Sequence, residues 1–153
     1  PLDCHTDFGN NRALLDELGY ADCHPVEGEE GLLWMAMLHP PQTLQMVGQR
    51  VAEVLQREPL LVSSSCGAEY IKKLIVCTGG AQDYLGRAAA LGADAYLSGE
   101  ISERTTHEAR ELGVHYIAAG HHATERFGIQ ALGQKISSEL GLEIAFFDDF
   151  NPA

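Results

Sequence analysis

The sequence lacks any apolar run near the roughly 18 residues that a transmembrane helix needs, and it shows no signal-peptide pattern. Basic residues are also scarce, because 10 Lys and Arg stand against 22 Asp and Glu, which gives a net charge of −12. Nucleic acids and anionic membranes attract positively charged surfaces. We therefore expect no membrane partner, and binding to nucleic acid is disfavoured.

The sequence has no CxxC pair, and its four cysteines are scattered along the chain. This spacing favours reduced thiols over disulfides or a structural zinc site, so we expect a cytoplasmic protein. A chain of 153 residues with 45% hydrophobic and 21% charged residues is typical of one globular domain with a substantial core.

From residue 71 onward the sequence repeats one pattern three times: a short apolar segment, a turn that contains glycine, and a helix that ends at a glycine. The predicted strands are 71–77, 95–97 and 114–119, and the predicted helices are 82–91, 102–112 and 120–140. Strands and helices that alternate in this way are typical of parallel βαβ units. A last strand is predicted at residues 143–147.

The first 70 residues are less regular. We predict helices at 12–18 and 44–55, the second capped by Thr43, and strands at 32–38 and 60–62. Pro40 and Pro41 are expected to end the strand at 32–38, and the apolar side chains of Trp34, Met35 and Met37 are expected in the core or at an interface. Together the patterns predict an α/β fold, with a mixed sheet that has helices on its faces, as a single region over residues 1–153.

The stretch that follows the third repeated strand, Gly120-His121-His122-Ala123-Thr124-Glu125-Arg126, carries the strongest functional signal. If a helix begins near Gly120, His121 and Glu125 lie four residues apart and project from the same face. An imidazole and a carboxylate side by side suit zinc, iron, manganese or nickel. The same spacing is also common in solvated side-chain pairs, so the pattern alone leaves both interpretations open.

Other candidate residues follow the neighbouring strands. Parallel strands place their carboxyl ends at one edge of the sheet, where ligands usually bind. Gly79-Gly80, Glu100 and the pair of His121 and Glu125 all fall on that edge. Glu100 and His107 are either active-site residues or ordinary polar residues of the helix that follows. At the start of the chain, Asp3 shares a strand face with His5 if the segment is extended, although an exposed polar end is an equally simple interpretation.

Three stretches resemble the family of GTP cyclohydrolase 1 type 2 homologs, also called the NGG-interacting-factor-three-like family. They are PLDCHTDFGNN, CTGGAQDYLGRAAALGADAYLSGEISERTTHEAREL and AAGHHATERFGIQAL, and the terminal DDFNPA is similar as well. The resemblance covers essentially the whole chain.

The resemblance implies a two-lobed α/β protein that holds two divalent metal ions and assembles as a ring-shaped homohexamer. It implies that Asp3, His121 and Glu125 are metal ligands, with Glu125 bridging the two ions. It also implies that Glu100 and His107 line the same cavity as groups that orient ligands or transfer protons. The family has further histidines before the position of Asp3, so we expect this chain to correspond to the C-terminal part of the fold, without the front lobe.

Two functional classes follow from these observations. The first is a metal-dependent hydrolase that acts on a small nucleotide-like or phosphorylated substrate, since two cations generate hydroxide and stabilise developing charge. The second is a metal-handling or regulatory protein without turnover. Because Asp3, His121 and Glu125 supply only three side chains, we expect this chain alone to bind about one metal ion and to lack the hydrolytic activity.

Overall fold

The computed structural model of the chain describes residues 2–149 and 151–152. Within them, six strands form one sheet. In chain order the strands are β1 (Cys23–Pro25), β2 (Trp34–Gln42), β3 (Leu60–Val62), β4 (Ile71–Cys77), β5 (Ala95–Ser98) and β6 (His115–Ala118). Their order across the sheet is β1-β2-β4-β5-β6-β3.

The helices are α1 (Asn10–Leu18), α2 (Leu44–Leu55), α3 (Leu85–Ala90), α4 (Glu103–Leu112), α5 (His121–Thr124) and α6 (Arg126–Leu140), with a short 3-10 turn at Gln82–Tyr84 before α3. Helices α2, α3 and α4 connect strands, whereas α1 precedes β1 and α5 and α6 follow β6. Thr43 caps α2 as predicted, because its hydroxyl oxygen accepts a hydrogen bond from the Met46 backbone N–H at 3.2 Å. Among the described residues, no helix has both the length and the apolar character needed to span a bilayer.

The centre of the sheet is parallel and its margins are antiparallel. β4 pairs with β5 and β5 with β6 in parallel, which confirms the predicted βαβ units. β2 pairs antiparallel with β4, β1 with β2, and β3 with β6. The predicted α/β fold with a mixed sheet is therefore confirmed, and the parallel strands place three carboxyl ends at one edge.

Helices cover both faces of the sheet, because alternate residues of each central strand point to opposite sides. One face packs against α1 and α2 in a core that includes Leu14, Val51, Leu74 and Leu97. The other face packs against α3 and α4 around Ile75, Tyr96, Tyr116, Leu85 and Ala109. Central strands buried on both sides explain their nearly continuous apolar sequences.

The strand predicted at residues 143–147 is wrong. These residues form exposed coil that follows α6. In a continued series of parallel units a strand there would pair beside β6, but β3 already occupies that edge, with Leu60 opposite Ala118 and Val62 opposite Tyr116. The place in the sheet that residues 143–147 would take is therefore occupied by β3, an earlier segment of the chain.

The proline pair does not end its strand, which is a second correction. β2 continues through Pro40 and Pro41 to Gln42. Its pairing with β4 shifts register between Met37 and Gln42. Proline has no N–H to donate to the ladder, so the pairing is interrupted there and resumes with Gln42 opposite Ile71.

The possible interface role of Trp34 is also not supported. Its side chain is only 1% exposed and belongs to the core beneath α1. Met35 and Met37 are half-buried on the strand that pairs with β4. Of the two alternatives that the sequence left open for Trp34, the core is correct.

Asn11 joins two strands at the point where their ladder ends. The register that pairs Trp34 with Val76 would next bring Leu32 opposite Thr78. At that point the Asn11 side-chain oxygen accepts a hydrogen bond from the Thr78 backbone N–H at 2.8 Å, and its amide nitrogen donates to the Leu32 carbonyl at 3.0 Å. The buried carboxamide thus links the start of β2 to the end of β4, where the candidate site begins.

We predict that Asn11→Ala destabilises the fold by about 1–3 kcal/mol, because it leaves the buried Thr78 N–H without an acceptor. Urea unfolding measures the change. Gln45→Ala, which truncates an exposed amide on α2, serves as the control and should have a small effect. Equal stability losses in the two variants would show that the Asn11 side chain does not support the edge of the sheet.

Candidate metal centre

Three glycine-containing turns meet at the carboxyl ends of the parallel strands. Gly79 follows β4, Gly99 follows β5 and Gly120 follows β6. The Gly99 N–H donates to the Gly79 carbonyl and the Gly120 N–H donates to the Gly99 carbonyl, each at 2.9 Å. The parallel ladder therefore continues past the strands through these turns, and it holds the residues that follow them close together.

His121 lies between two carboxylates. Its Nδ1 is 2.6 Å from Oε1 of Glu100, and its Nε2 is 3.3 Å from Oε2 of Glu125. Glu100 comes from the turn after β5, and the other two residues come from the segment after β6. The structure thus brings together three of the residues that the sequence singled out.

The backbone approaches these side chains closely at two glycines. A Cβ on Gly79 would collide with the Glu125 carboxylate and lie 3.2 Å from Nε2 of His121. A Cβ on Gly99 would lie 2.7 Å from the Cα of His121. Any other residue at either position would displace the imidazole or the carboxylate.

The predicted helix through this segment is interrupted, which is a correction to the sequence interpretation. α5 ends at Thr124, and Glu125 has φ −107° and ψ 9°, outside regular helical values, before α6 begins at Arg126. The buried Thr124 hydroxyl accepts a hydrogen bond from the Gly79 N–H at 3.0 Å and lies 3.0 Å from the Gly120 carbonyl. This side chain joins the turn after β4 to the one after β6 directly beside Glu125.

Asp3 reaches the same region through Asn10. The Asn10 amide donates to Oδ1 of Asp3 at 2.5 Å, and its side-chain oxygen accepts from the Gly128 backbone N–H at 2.9 Å. Asn10 is 4% exposed, so the start of the chain is tied to the first turn of α6 by a buried amide.

The position of Glu100 is fixed by its backbone. The buried Tyr116 hydroxyl donates to the Glu100 carbonyl at 2.6 Å, while the Glu100 carboxylate remains exposed toward His121. Burial raises the pKa of Tyr116, so its hydroxyl keeps its proton for this bond.

The electrostatics of the cluster favour positive charge on the imidazole. The hydrogen bond to Glu100 raises the pKa of His121, and Glu125 adds to the effect against partial desolvation. Burial raises the pKa of Glu125, with a further contribution from the charge of Asp3, while His121 opposes the shift. The influence of Asp3 on Glu125 places the two carboxylates in one electrostatic environment.

His107 is separate from this cluster. It is exposed on α4, and within the described residues no hydrogen bond or ion pair joins it to Glu100 or His121. Its suggested catalytic role stays a prediction.

The donor chemistry of the cluster fits a divalent cation, although the described residues do not form a complete site. Within residues 2–149 and 151–152, no group of three or more His, Cys, Asp or Glu side chains is arranged to hold a metal ion as it stands. His121 nevertheless combines an Nε2 that faces the Glu125 carboxylate with an Nδ1 bound to Glu100, and this second contact is the usual way in which a protein orients a ligating imidazole. The assignment of Asp3, His121 and Glu125 as metal ligands therefore stays a prediction from the family resemblance.

Sequence reasoning missed the residues that hold these candidates in place. The sequence patterns predict no functional role for Asn10, Asn11, Tyr116 or Thr124. Each makes its contact through a buried polar group. Burial of an Asn or Thr side chain beside a glycine turn would have identified such residues. Burial of a polar side chain cannot be inferred from the amino-acid sequence alone.

A cavity of about 480 Å³ opens beside the cluster. Glu100, His121 and Glu125 line one part of it, and Arg126 and Asp148 line another. Asp148 belongs to the coil after α6, where its carboxylate contacts both His122 and Arg126. The C-terminal coil therefore forms a wall of the cavity that contains the candidate ligands.

The comparisons with known proteins agree with this architecture. A family model described as Duf34/NIF3 (NGG1p interacting factor 3) matches residues 1–152. The chain belongs to this family. A relative from Allochromatium vinosum, named GTP cyclohydrolase 1 type 2 homolog, is 47% identical over the whole chain. The family assigned from the sequence motifs is therefore confirmed.

Solved structures of family members share the fold. The protein ybgI, of unknown function, superimposes with a TM-score of 0.90 at 38% identity, and a protein from Thermus thermophilus superimposes with a TM-score of 0.84 at 30% identity. Both matches cover 100% of this chain and 60% of the other chain. The match to the Allochromatium relative likewise covers 59% of its length, so the chain spans about three fifths of the family proteins that it matches.

We predict that Thr124→Val exposes the Gly79 amide to hydrogen exchange, because valine keeps the volume of threonine but offers no acceptor to the Gly79 N–H. Thr124→Ser keeps the hydroxyl and is the matched control. Amide exchange followed by NMR should show faster exchange at Gly79 in the valine variant than in the serine variant. Equal exchange in both would mean that the Thr124 hydroxyl does not hold this turn.

Proposed function

We propose that this chain binds a divalent metal ion through Asp3, His121 and Glu125, and that it forms part of a dinuclear, metal-dependent hydrolase. The observation that carries the proposal is the position of one imidazole between the carboxylates of Glu100 and Glu125, at 2.6 Å and 3.3 Å. In this arrangement both ring nitrogens face negative charge. A contact between Nε2 of His121 and the Glu125 carboxylate requires a proton on Nε2 when no metal ion is bound. A divalent cation bound to Nε2 would take the place of this proton.

The remaining residues of the cluster suit such a centre. With Nδ1–H donated to Glu100, the lone pair of Nε2 points toward Glu125 and is available as a ligand. The side-chain amide of Asn10 orients Asp3 by donating a hydrogen bond to its Oδ1 at 2.5 Å. The ring nitrogen and carboxylate oxygens suit zinc, iron, manganese and nickel and do not distinguish among them.

When bound, two divalent ions supply hydroxide at neutral pH and stabilise charge on the reacting oxygen. The side chains of Asp3, His121 and Glu125 would hold one of these ions beside a cavity of about 480 Å³, which is large enough for a small ligand. Glu100 keeps the imidazole in one tautomer, and its exposed carboxylate is placed to accept a proton from a bound molecule. His107 has no comparable contact, so its contribution rests on the family resemblance alone.

The proposed substrate is a small nucleotide-like or phosphorylated molecule. Its support is the name shared by the relatives, GTP cyclohydrolase 1 type 2 homolog. Incubation of the full-length Allochromatium relative with nucleotides, with and without added metal, tests the class by release of phosphate or formate. Turnover that needs metal supports the hydrolase. Tight metal binding without turnover would favour the alternative, a metal-handling or regulatory protein.

We predict that His121→Ala and Glu125→Ala each lower the affinity of this chain for zinc or manganese by at least about tenfold, because each removes one of three protein ligands. Calorimetric titration and elemental analysis measure affinity and stoichiometry, with about one ion per chain expected for the parent. His24→Ala, which removes an exposed imidazole on β1, is the control. Unchanged metal content in both site variants would refute the ligand assignment.

We also propose that the family assembly, a homohexamer by resemblance, uses apolar surface near the C-terminus of this chain. Ile129, Leu140 and Phe147 are 48%, 68% and 87% exposed. Sedimentation at micromolar concentration should show a species larger than the monomer, and Phe147→Ser should weaken it because burial of this ring would be lost. A full-length Allochromatium relative that sediments as a monomer would contradict the proposed assembly.

A further inference from the structure

The C-terminal coil places a carboxylate on two donors beside the candidate metal centre. Oδ1 of Asp148 is 3.3 Å from Nε2 of His122, and its Oδ2 accepts a hydrogen bond from Nη1 of Arg126. For a carboxylate to accept from His122, the Nε2 atom must carry the proton. His122 and Arg126 therefore both present donors to the same anionic group.

The carboxylate does not satisfy all the donors at this position. Its two oxygens each take one partner, while Nε of Arg126 is buried and has no acceptor among the described residues. Nη2 of Arg126 is 3.4 Å from the Leu55 carbonyl. A phosphoryl group is an anionic acceptor with three terminal oxygens, so it can accept hydrogen bonds from His122 Nε2 and Arg126 Nη1 in place of the Asp148 carboxylate.

The position of these donors connects them with the candidate metal ligands. His122 and Arg126 line the same cavity of about 480 Å³ as Glu100, His121 and Glu125. A second cavity, of about 470 Å³, shares His122, Arg126 and Asp148 with the first and extends toward Arg57. A molecule in this space can reach the guanidinium of Arg126 and the metal ligands at once.

We propose that His122 and Arg126 form a subsite for a phosphoryl group, which Asp148 of the C-terminal coil occupies until a phosphorylated ligand displaces it. The inference rests on the proposed function and deepens it by naming the part of the substrate that this wall of the cavity holds. Asp148 acts as an intramolecular competitor. Because the competitor is tethered, it lowers the apparent affinity for the ligand by the fraction of time that it occupies the donors.

The negative charge of the chain and of the cavity means that a phosphorylated ligand needs local positive charge to bind. The chain carries a net charge of −12, and Glu100 and Glu125 line the cavity, so a phosphoryl group is repelled unless local cations hold it. Arg126 supplies a fixed positive charge, and displacement of Asp148 removes a negative one.

The test titrates inorganic phosphate into the chain after chelation of metals, at low ionic strength, with binding followed by ³¹P NMR. We expect Asp148→Asn to raise the affinity roughly tenfold, the effect of freeing a site that a tethered group occupies about nine tenths of the time. Asp149→Asn removes the same charge from the neighbouring residue and should change the affinity less than about twofold. Equal effects of the two variants, or weaker binding in Asp148→Asn, would overturn the proposal.

A second pair of variants tests the donors. Arg126→Gln should abolish the gain when combined with Asp148→Asn, whereas Arg104→Gln, which removes an exposed charge from α4, should keep it. If Arg126→Gln does not fold, Arg126→Lys keeps the charge and removes the Nη1 donor, and we expect it to reduce the gain. Phosphate binding that survives the Arg126 substitution would refute the subsite.

The metal-free condition separates this result from the proposed function. Loss of metal binding in the His121 and Glu125 variants is measured on its own and does not enter the phosphate titration. Phosphate that binds only after metal is added, with no dependence on Arg126, would place the anion on the metal and overturn the subsite while leaving the metal centre intact.

Discussion

Glu125 reaches the imidazole of His121 only because Gly79 has no side chain. The carboxylate lies where a Cβ on Gly79 would be, and the Thr124 hydroxyl accepts the N–H of the same glycine at 3.0 Å. One backbone position therefore provides both the space for the carboxylate and the hydrogen bond that fixes its neighbour. This close approach is possible because parallel pairing of β4, β5 and β6 sets the three turns side by side, so the site depends on the register of the sheet.

The sequence predicts correctly which residues lie close together only where local spacing and strand order define that proximity. The apolar segments and glycine turns of β4, β5 and β6 indicate parallel units, and parallel units bring strand ends together whatever the other details. The four-residue separation of His121 and Glu125 likewise needs only local geometry. By contrast, Asn11 contacts Thr78 across 67 residues and Asn10 contacts Gly128 across 118 residues. Contacts at such separations follow from the packing of α1 against the end of β4 and against α6, and they leave no periodic pattern in the sequence.

The error at residues 143–147 has a related cause. Alternating apolar residues such as Ile144 and Phe146 suit a strand, but they suit equally a coil that packs on a helix. A methyl group of Ile144 lies 3.0 Å from where a Cβ on Gly133 would be, so the coil follows α6 at a position without a side chain. The choice between the two depends on whether an edge of the sheet is available, and the edge beside β6 is taken by β3, a segment that lies far earlier in the chain.

The coil's path along α6 gives one short motif two different surroundings. His121 and Glu125 form one pair four residues apart, and His122 and Arg126 form a second pair that is offset by one residue. The break between α5 and α6 at Glu125 separates the two members of each pair, and the two pairs contact different groups. The first pair faces the Gly79 turn and Glu100, where carboxylates surround an imidazole and favour a cation. The second faces Asp148 on the coil, where an imidazole and a guanidinium surround a carboxylate and favour an anion. The strand end before Gly120 positions both pairs at once, so the proposed metal ion and the proposed phosphoryl group would lie side by side.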